Sequence, residues 1–282
     1  MGTFISVVVN TLNEERRLPY ALRSVESWAD EIVVVDMGSD DGTVSVAERF
    51  GARVFTHART GFVEPARAFA CAQARGNWVL VLDADELIPS PLARRLRQVA
   101  ETEDADVVRL PRLNYLLGRP VLHSGWNPGR DRHVRFFRPG CVELSARIHE
   151  PPRPLPTARV LDLPAGPGLA IVHFNYADVS HFLQKLDRYT GVEAAQARER
   201  GERAGRWRAA AAAAREWGVR YLGHGGYRDG WRGFHLCLFM AFYRLVTFAK
   251  LQELEDSAGR PGDVVERYRD EAERWLAGYR SG

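Results

Sequence analysis

The chain has 282 residues, 45% of them hydrophobic and 27% charged, enough apolar material for a sizeable globular core. Its 39 Lys+Arg against 36 Asp+Glu leave a net charge of +3. With scattered arginines and no basic, aromatic-laced stripe, this excludes nucleic acid as the expected partner. Cys71, Cys141 and Cys237 are far apart and form no CxxC, which excludes a zinc ribbon or a disulfide framework and fits a reducing compartment. Lysine occurs only at Lys185 and Lys250. The arginine excess reads either as GC-rich coding bias or as a supply of guanidinium forks for phosphate and carboxylate.

From the N-terminus, "FISVVVN" (4–10) is a β-branched run typical of a buried strand, with no basic leader or signal-length apolar segment before it. Apolar residues at helical spacing from Leu18 to Trp28 predict a helix over 14–28, and "EIVVVD" (31–36) a second buried strand. "GTVSVAERFG" predicts a helix ended by Gly51, "ARVFTH" a third strand, "FVEPARAFACAQARG" a helix ending at Gly76, and "NWVLVLD" a fourth strand. Strands alternating with helices at this interval imply a parallel sheet covered on both faces, whose ligands sit at the carboxyl ends of the strands. Asn10, Asp36 and Asp83 all fall at such ends.

Ser90 and Pro91 supply a cap and first-turn residue for a helix over "SPLARRLRQVA". Beyond Asp104 the pattern loosens, with further strands expected in "ADVVRLPRLNYLLG", "DRHVRFFRPG" and "GLAIVHFNYAD". "HEPPRPLPTARVLDLPAGPG" has too many prolines for regular structure. From Val179 the chain turns helical, and the alanine run at 209–214 is a high-propensity helix. The segment Trp231–Asp256 holds an uninterrupted apolar block from Leu236 to Tyr243, broken by Arg244 and Lys250. Three placements are compatible with it: an in-plane position at a membrane interface with the arginines snorkelling, a core helix, and a membrane span.

The fourth strand runs into Asp83-Ala84-Asp85-Glu86. Carboxylates this close repel and need a positive partner. A turn at the strand's end lets Asp83 and Asp85 both reach one ligand. A site of a few oxygen ligands with room for phosphates is what Mg²⁺ or Mn²⁺ favours. A lone DxD is weak by itself. The absence of GxGxxG, of GxxxxGK[ST] and of HExxH disfavours a dinucleotide fold, a P-loop and a zinc hydrolase. Arg135 and Arg138, flanking Phe136-Phe137, either reach a phosphorylated acceptor or face solvent, and His173 is either a structural histidine or part of the site.

In order and spacing, "VVVNTLNEERRL", "EIVVVDMGSDDGT" and "GNWVLVLDADE" resemble the family 2 glycosyltransferases of GT-A fold. "VRFFR", "RIHEPP", "VHFNYADVSHFLQKLDRYTGVEA" and "DGWRGFHLCLFMAFYRLVTFAKLQE" extend the similarity to the lipopolysaccharide inner-core glucosyltransferase branch over nearly the whole chain. The resemblance implies an α/β fold: a Rossmann-like, nucleotide-sugar-binding mixed sheet flanked by helices, with a helical C-terminal extension. The domains are then a catalytic domain over 1–177, split into a nucleotide-sugar half (1–104) and an acceptor half (105–177), and a helical region over 178–282.

By the same match, Thr11, Asn13 and Glu14 lie near the nucleoside, Asp36 bonds the base or ribose with Ser39 in the same loop, and Arg67 contacts the donor. Asp83 contacts ribose or sugar, Asp85 holds the Mg²⁺ or Mn²⁺ ion, and Glu150 is the catalytic base with His149 beside it. The implied activity is inverting, metal-dependent transfer of a hexose from a nucleotide diphosphate sugar, taken as a UDP-sugar, to a hydroxyl of a lipid-linked or cell-envelope glycan. It would occur in the cytoplasm or on the inner face of the cell membrane. A soluble peptide or small-metabolite acceptor, and a non-catalytic sugar-nucleotide binder, stay open as alternatives.

Overall fold

The computed structural model describes residues 2–59, 63–102, 105–145, 152–258 and 264–277. The chain divides into two compact units, one formed by 1–184 with 218–237 and the other by 185–217 with 238–282.

The first unit begins with β1 (Ile5–Thr11), α1 (Leu18–Arg23), β2 (Glu31–Asp36), α2 (Thr43–Arg49), β3 (Arg53–Thr56), α3 (Glu64–Gln73) and β4 (Trp78–Asp83). β1 to β4 pair in parallel in the order β3-β2-β1-β4. Every residue of β1 is buried. Val7 and Val9 face a core with Leu18, Leu22, Leu80, Leu82, Leu92 and Leu96, while Val8 faces a second core with Val33, Val35, Ala66 and Ala70. This is why the strand reads as continuously apolar instead of alternating.

The chain leaves β1 in one direction to β2 and later returns to the other side of β1 as β4. The carboxyl ends of β1 and β4 therefore form a topological switch point, where open α/β sheets bind ligands.

After β4 a tight turn leads to β5 (Glu86–Leu87), α4 (Ser90–Thr102), β6 (Val107–Leu116), β7 (Arg119–Pro120), β8 (Arg132–Phe137), β9 (Val142–Glu143), β10 (Arg153–Pro154), β11 (Val160–Asp162) and β12 (Ile171–Tyr176). β8 lies antiparallel between β4 and β6, β12 is parallel to β6, and β5 closes the order antiparallel to β12. The sheet is the expected mixed α/β sheet flanked by helices.

Two expectations change. The helix expected over 14–28 is only six residues long. Pro19 fixes its first turn, and the Ser24 hydroxyl donates to the Ala21 carbonyl, a local bond that competes with continuation. The proline-rich stretch is not wholly irregular, because the β-branched "VLD" forms β11 and pairs in parallel with β6 at Val160↔Val107. Its prolines stay off that strand, and Pro154 falls in the two-residue pairing of β10 with β9, an edge position where proline is tolerated.

Helices α5 (Val179–Glu199), α6 (Arg206–Gly218), α7 (Gly230–Ala258) and α8 (Val264–Ala277) make up the C-terminal region, with a π-turn at Val219–Gly223 and a 3₁₀ turn at Gly226–Asp229 between α6 and α7. In the second unit Ala194, Ala197 and Leu251 pack together. Arg244 donates to Glu193 and Glu216, each at 3.2 Å, and the Lys250 ammonium meets the Asp187 carboxylate at 2.7 Å. The two cations that interrupt the apolar run are thus tied to carboxylates of neighbouring helices and do not snorkel along the helix. α7 is one continuous 29-residue helix, long and apolar enough to cross a membrane. On one face it exposes Trp231, Phe234, Leu238, Phe242 and Leu245.

Candidate active site

The sheet register sets the site. Asn10 pairs with Asp83 and Thr11 with Asp36, so the polar ends of the first, second and fourth strands lie side by side. The loops beyond β1 and β2 are stitched to each other. The Asn13 N–H donates to Ser39 Oγ (2.8 Å), the Asp40 N–H to Asn13 Oδ1 (3.0 Å), and the Glu14 N–H to Thr43 Oγ1 (2.8 Å). Asn13 takes a φ of 57°, a conformation asparagine tolerates better than most residues. Asp36 is buried, and both its oxygens are engaged: Oδ2 accepts from the Gly38 and Ser39 N–H groups at 3.0 Å, Oδ1 from the Ser39 and Thr11 hydroxyls. Thr11, Asn13, Glu14, Asp36 and Ser39 are thus brought together, with Asp36 as the knot of the loop. Glu14 is gripped by the Arg17 guanidinium through Nε (2.7 Å) and Nη2 (2.9 Å), a fork the sequence reading did not anticipate.

The acidic tip has its positive partners. Asp83 Oδ1 accepts from Arg67 Nη2 (2.9 Å) and Oδ2 from Arg135 Nη2 (2.6 Å). Burial pushes the Asp83 carboxyl up, but Arg135 and Arg67 outweigh it and hold it well below the usual carboxylate range. Arg67, expected as a donor contact, therefore stands at the site. Arg135 neither faces solvent nor is free to reach an acceptor. It is buried, and it also meets Glu86 Oε1 at 3.2 Å. Glu86 is 1% exposed and returns a bond to the chain by accepting from the Asp83 N–H at 3.0 Å. Arg138 turns the other way and lies over the Trp78 ring at 4.8 Å.

Asp85 lies across the turn from Asp83, with Oδ1 3.6 Å from His173 Nε2 and Oδ2 4.0 Å from Arg17 Nη1. His173 is buried on β12, and its Nδ1 bonds Asn114 Oδ1 at 2.8 Å. Asn114 in turn donates to Asp131, which Arg112 Nε (2.9 Å) and His133 Nε2 (2.8 Å) also hold. Burial raises the Asp131 carboxyl, but His133 and Arg112 overcome it and leave it depressed, whereas His133 is lowered chiefly by its own burial. The polar network thus runs from Asp85 through His173, Asn114, Asp131, Arg112 and Glu86 to Arg135 and Asp83. Arg112, Asn114 and Asp131 were missed in the sequence. The signal was present in "RLPRLNYL", where Arg112 and Asn114 stand two apart on a strand and so share one face.

Three buried donors in this region, Asn10 Nδ2, Arg67 Nε and Arg135 Nη1, have no hydrogen-bond partner among the described residues. An unsatisfied buried donor costs about 1–3 kcal/mol and calls for an explanation. Oxygen atoms of an anionic ligand supply one.

For a divalent ion, Asp85 and His173 fit as one carboxylate oxygen and one imidazole nitrogen, a set that leaves most positions to phosphate oxygens and water. Asp83 does not fit as a second carboxylate ligand, because both its oxygens are committed to arginine. Among the described residues no group of three or more His, Cys, Asp or Glu forms a cage that holds metal by itself. His149 and Glu150 lie outside the described residues. A cavity of about 580 Å³ lined by Arg23, Trp28, Ile88, Arg94 and Arg97 includes no member of this cluster.

Residues 6–145 match the family model described as glycosyl transferase family 2. The chain is 27% identical over 265 residues to the lipopolysaccharide core biosynthesis glycosyltransferase LpsC of Rhizobium meliloti, covering 91% of this chain and 95% of that one. It is 24% identical over 255 residues to an uncharacterized glycosyltransferase of Rickettsia bellii, covering 89% and 86%. Among solved structures it is similar to glucosyl-3-phosphoglycerate synthase from Mycobacterium tuberculosis in complex with Mn²⁺, UDP and glucosyl-3-phosphoglycerate, at 30% identity, 40% of this chain, 45% of that chain and a TM-score of 0.34. The chain spans about half the length of that synthase and of a Rickettsia typhi relative, of which it covers 45%.

Proposed function

Residues 6–145 belong to glycosyl transferase family 2, and from that premise we propose that the chain transfers a hexose, with inversion, from a UDP-sugar to a hydroxyl of a lipid-linked or cell-envelope glycan. The observation that carries the reading is the switch-point cluster. Two acidic residues with unlike partners, Asp83 and Asp85, share one strand end with three unsatisfied buried donors and with the stitched loops of β1 and β2.

On this reading Asn13, Glu14 and Ser39 line the nucleoside side, with Thr11 and Asp36 holding that loop in shape. Arg67 and Arg135 hold Asp83 ionised and fixed, so that it accepts hydrogen bonds from ribose or sugar hydroxyls. Their remaining N–H groups face the oxygens of the donor. Asp85 and His173 hold the Mg²⁺ or Mn²⁺ ion, which when bound offsets the charge gathering on the departing diphosphate. The acceptor hydroxyl is a poor nucleophile and must lose its proton as it attacks the anomeric carbon. Glu150, with His149 beside it, takes that proton. Attack opposite the leaving group in one displacement gives inversion.

The acceptor is assigned to the cell envelope from the similarity to a lipopolysaccharide core enzyme and from the exposed apolar face of α7, which suits an in-plane position on the inner face of the membrane.

A calorimetric and thermal-shift screen of nucleotide diphosphate sugars with and without Mn²⁺ tests the proposal. One UDP-sugar is expected to raise the apparent stability strongly, and more so with Mn²⁺, because a ligand that binds only the folded state stabilises it. No uptake of any activated sugar under either condition would sink it.

A further inference from the structure

We propose that Asn114 is a positioning residue that fixes the tautomer and aim of His173, so that a lone pair on Nε2 faces Asp85. This rests on the reading of Asp85 and His173 as the cation site.

The chain of reasoning starts at Asp131. The Asn114 side-chain nitrogen lies against two groups that only accept, Asp131 Oδ2 at 2.5 Å and the Trp126 carbonyl at 3.2 Å. A carboxylate and a backbone carbonyl have no hydrogen to give, so the NH₂ of the amide must face them and its oxygen must face the other way. That oxygen sits 2.8 Å from His173 Nδ1. Oδ1 is again only an acceptor, so Nδ1 carries the hydrogen, and the lone pair of the neutral ring is left on Nε2.

Nε2 and Asp85 Oδ1 are 3.6 Å apart, beyond hydrogen-bond range. Two electron-rich atoms placed this way suit a shared cation. The fixed ring is the arrangement by which outer residues orient a ligating histidine. The placement is built by the sheet: Asn114 and His173 are direct partners in the parallel pairing of β6 and β12, and both are buried. Asp131 is itself held by Arg112 and His133, so the amide cannot turn over without breaking both ends of the chain.

The test uses the full chain in two measurements. In the metal-free protein labelled with ¹⁵N-histidine, the His173 ring, assigned by its loss in H173A, is expected to show the hydrogen on Nδ1. In N114L that preference is expected to disappear. Mn²⁺ affinity in the presence of UDP, followed by the electron paramagnetic resonance of the free ion, is expected to fall about 10–100-fold in N114L and further in H173A. A wild-type ring with its hydrogen on Nε2 overturns the proposal without need of any variant. Unchanged affinity in N114L beside a loss in H173A overturns it while leaving the cation site standing. Unchanged affinity in H173A overturns it through the cation site itself.

Discussion

Arg135 shows how much one side chain carries here. It is the only cation within 3.5 Å of both Asp83 and Glu86 among the described residues. Replacing it with methionine keeps much of the volume but strands the Glu86 carboxylate in the interior. The expected cost is about 3–5 kcal/mol, the usual result of removing one partner of a buried pair, read as a lower denaturation midpoint in urea at unchanged slope. A loss below 1 kcal/mol would mean that Arg112, 3.6 Å from Glu86, already balances that charge. Glu150 belongs to the same scale but to chemistry. Its change to glutamine keeps size and hydrogen bonding and removes only the basic oxygen. Donor binding should stay near wild type while turnover drops by about two or more decades, and an unchanged turnover would take Glu150 out of the role of base.

At the scale of elements, what could be read in the sequence was whatever local pattern decides. The span 31–36 matches β2 residue for residue and 77–83 overruns β4 by a single residue, because strands buried on both faces announce themselves as unbroken apolar runs. The convergence of Asn10, Asp36 and Asp83 followed from strand order alone. Two things were not legible. One was the contribution of β6, β8 and β12, whose Arg112, Arg135, Asn114 and His173 meet the acidic tip only through antiparallel and parallel pairings far apart in the chain. The other was the fate of α7, since its composition suited a core, an interface and a span alike. The structure leaves Trp231, Phe234, Leu238, Phe242 and Leu245 exposed at steps of three and four, one stripe of a helix, with Arg232 over the Trp231 ring at 4.6 Å. Such a stripe, aromatic at one end, should bind vesicles containing anionic phospholipid. Changing Phe234, Leu238 and Phe242 together to serine removes roughly 1–2 kcal/mol of apolar transfer each, so the partition coefficient in a sedimentation assay should fall by about a hundredfold or more. Equal partition of wild type and variant would move the acceptor from a membrane lipid to a soluble molecule.

The whole molecule is nearly balanced in charge at pH 7, at 39 Lys+Arg and 36 Asp+Glu, so the onset of its response to acid is set by particular groups. Asp131 and Asp83 have folded-state acidities stronger than an ordinary carboxylate, Asp131 against its burial because of His133 and Arg112, Asp83 against its burial because of Arg135 and Arg67. Half-buried Asp106 is lowered to about 2 by Arg159. Groups depressed in this way contribute stability that is complete above their unfolded values, near about 4, and is lost as pH falls toward the folded ones. His133 is also depressed, mainly by burial. Below its unfolded value of about 6.5 the unfolded chain takes up a proton that the folded chain refuses, so its effect has the same sign and begins at higher pH. The two windows predict a melting temperature that is level from about pH 8 to 7, declines gently from about 6.5, and drops steeply below about 4. H133N removes the first decline and leaves the second. Calorimetry across that range checks both, and a melting temperature that rises on going from pH 7 to 5 would show that the interior network around Asp131 is not held in the protonation state its neighbours dictate.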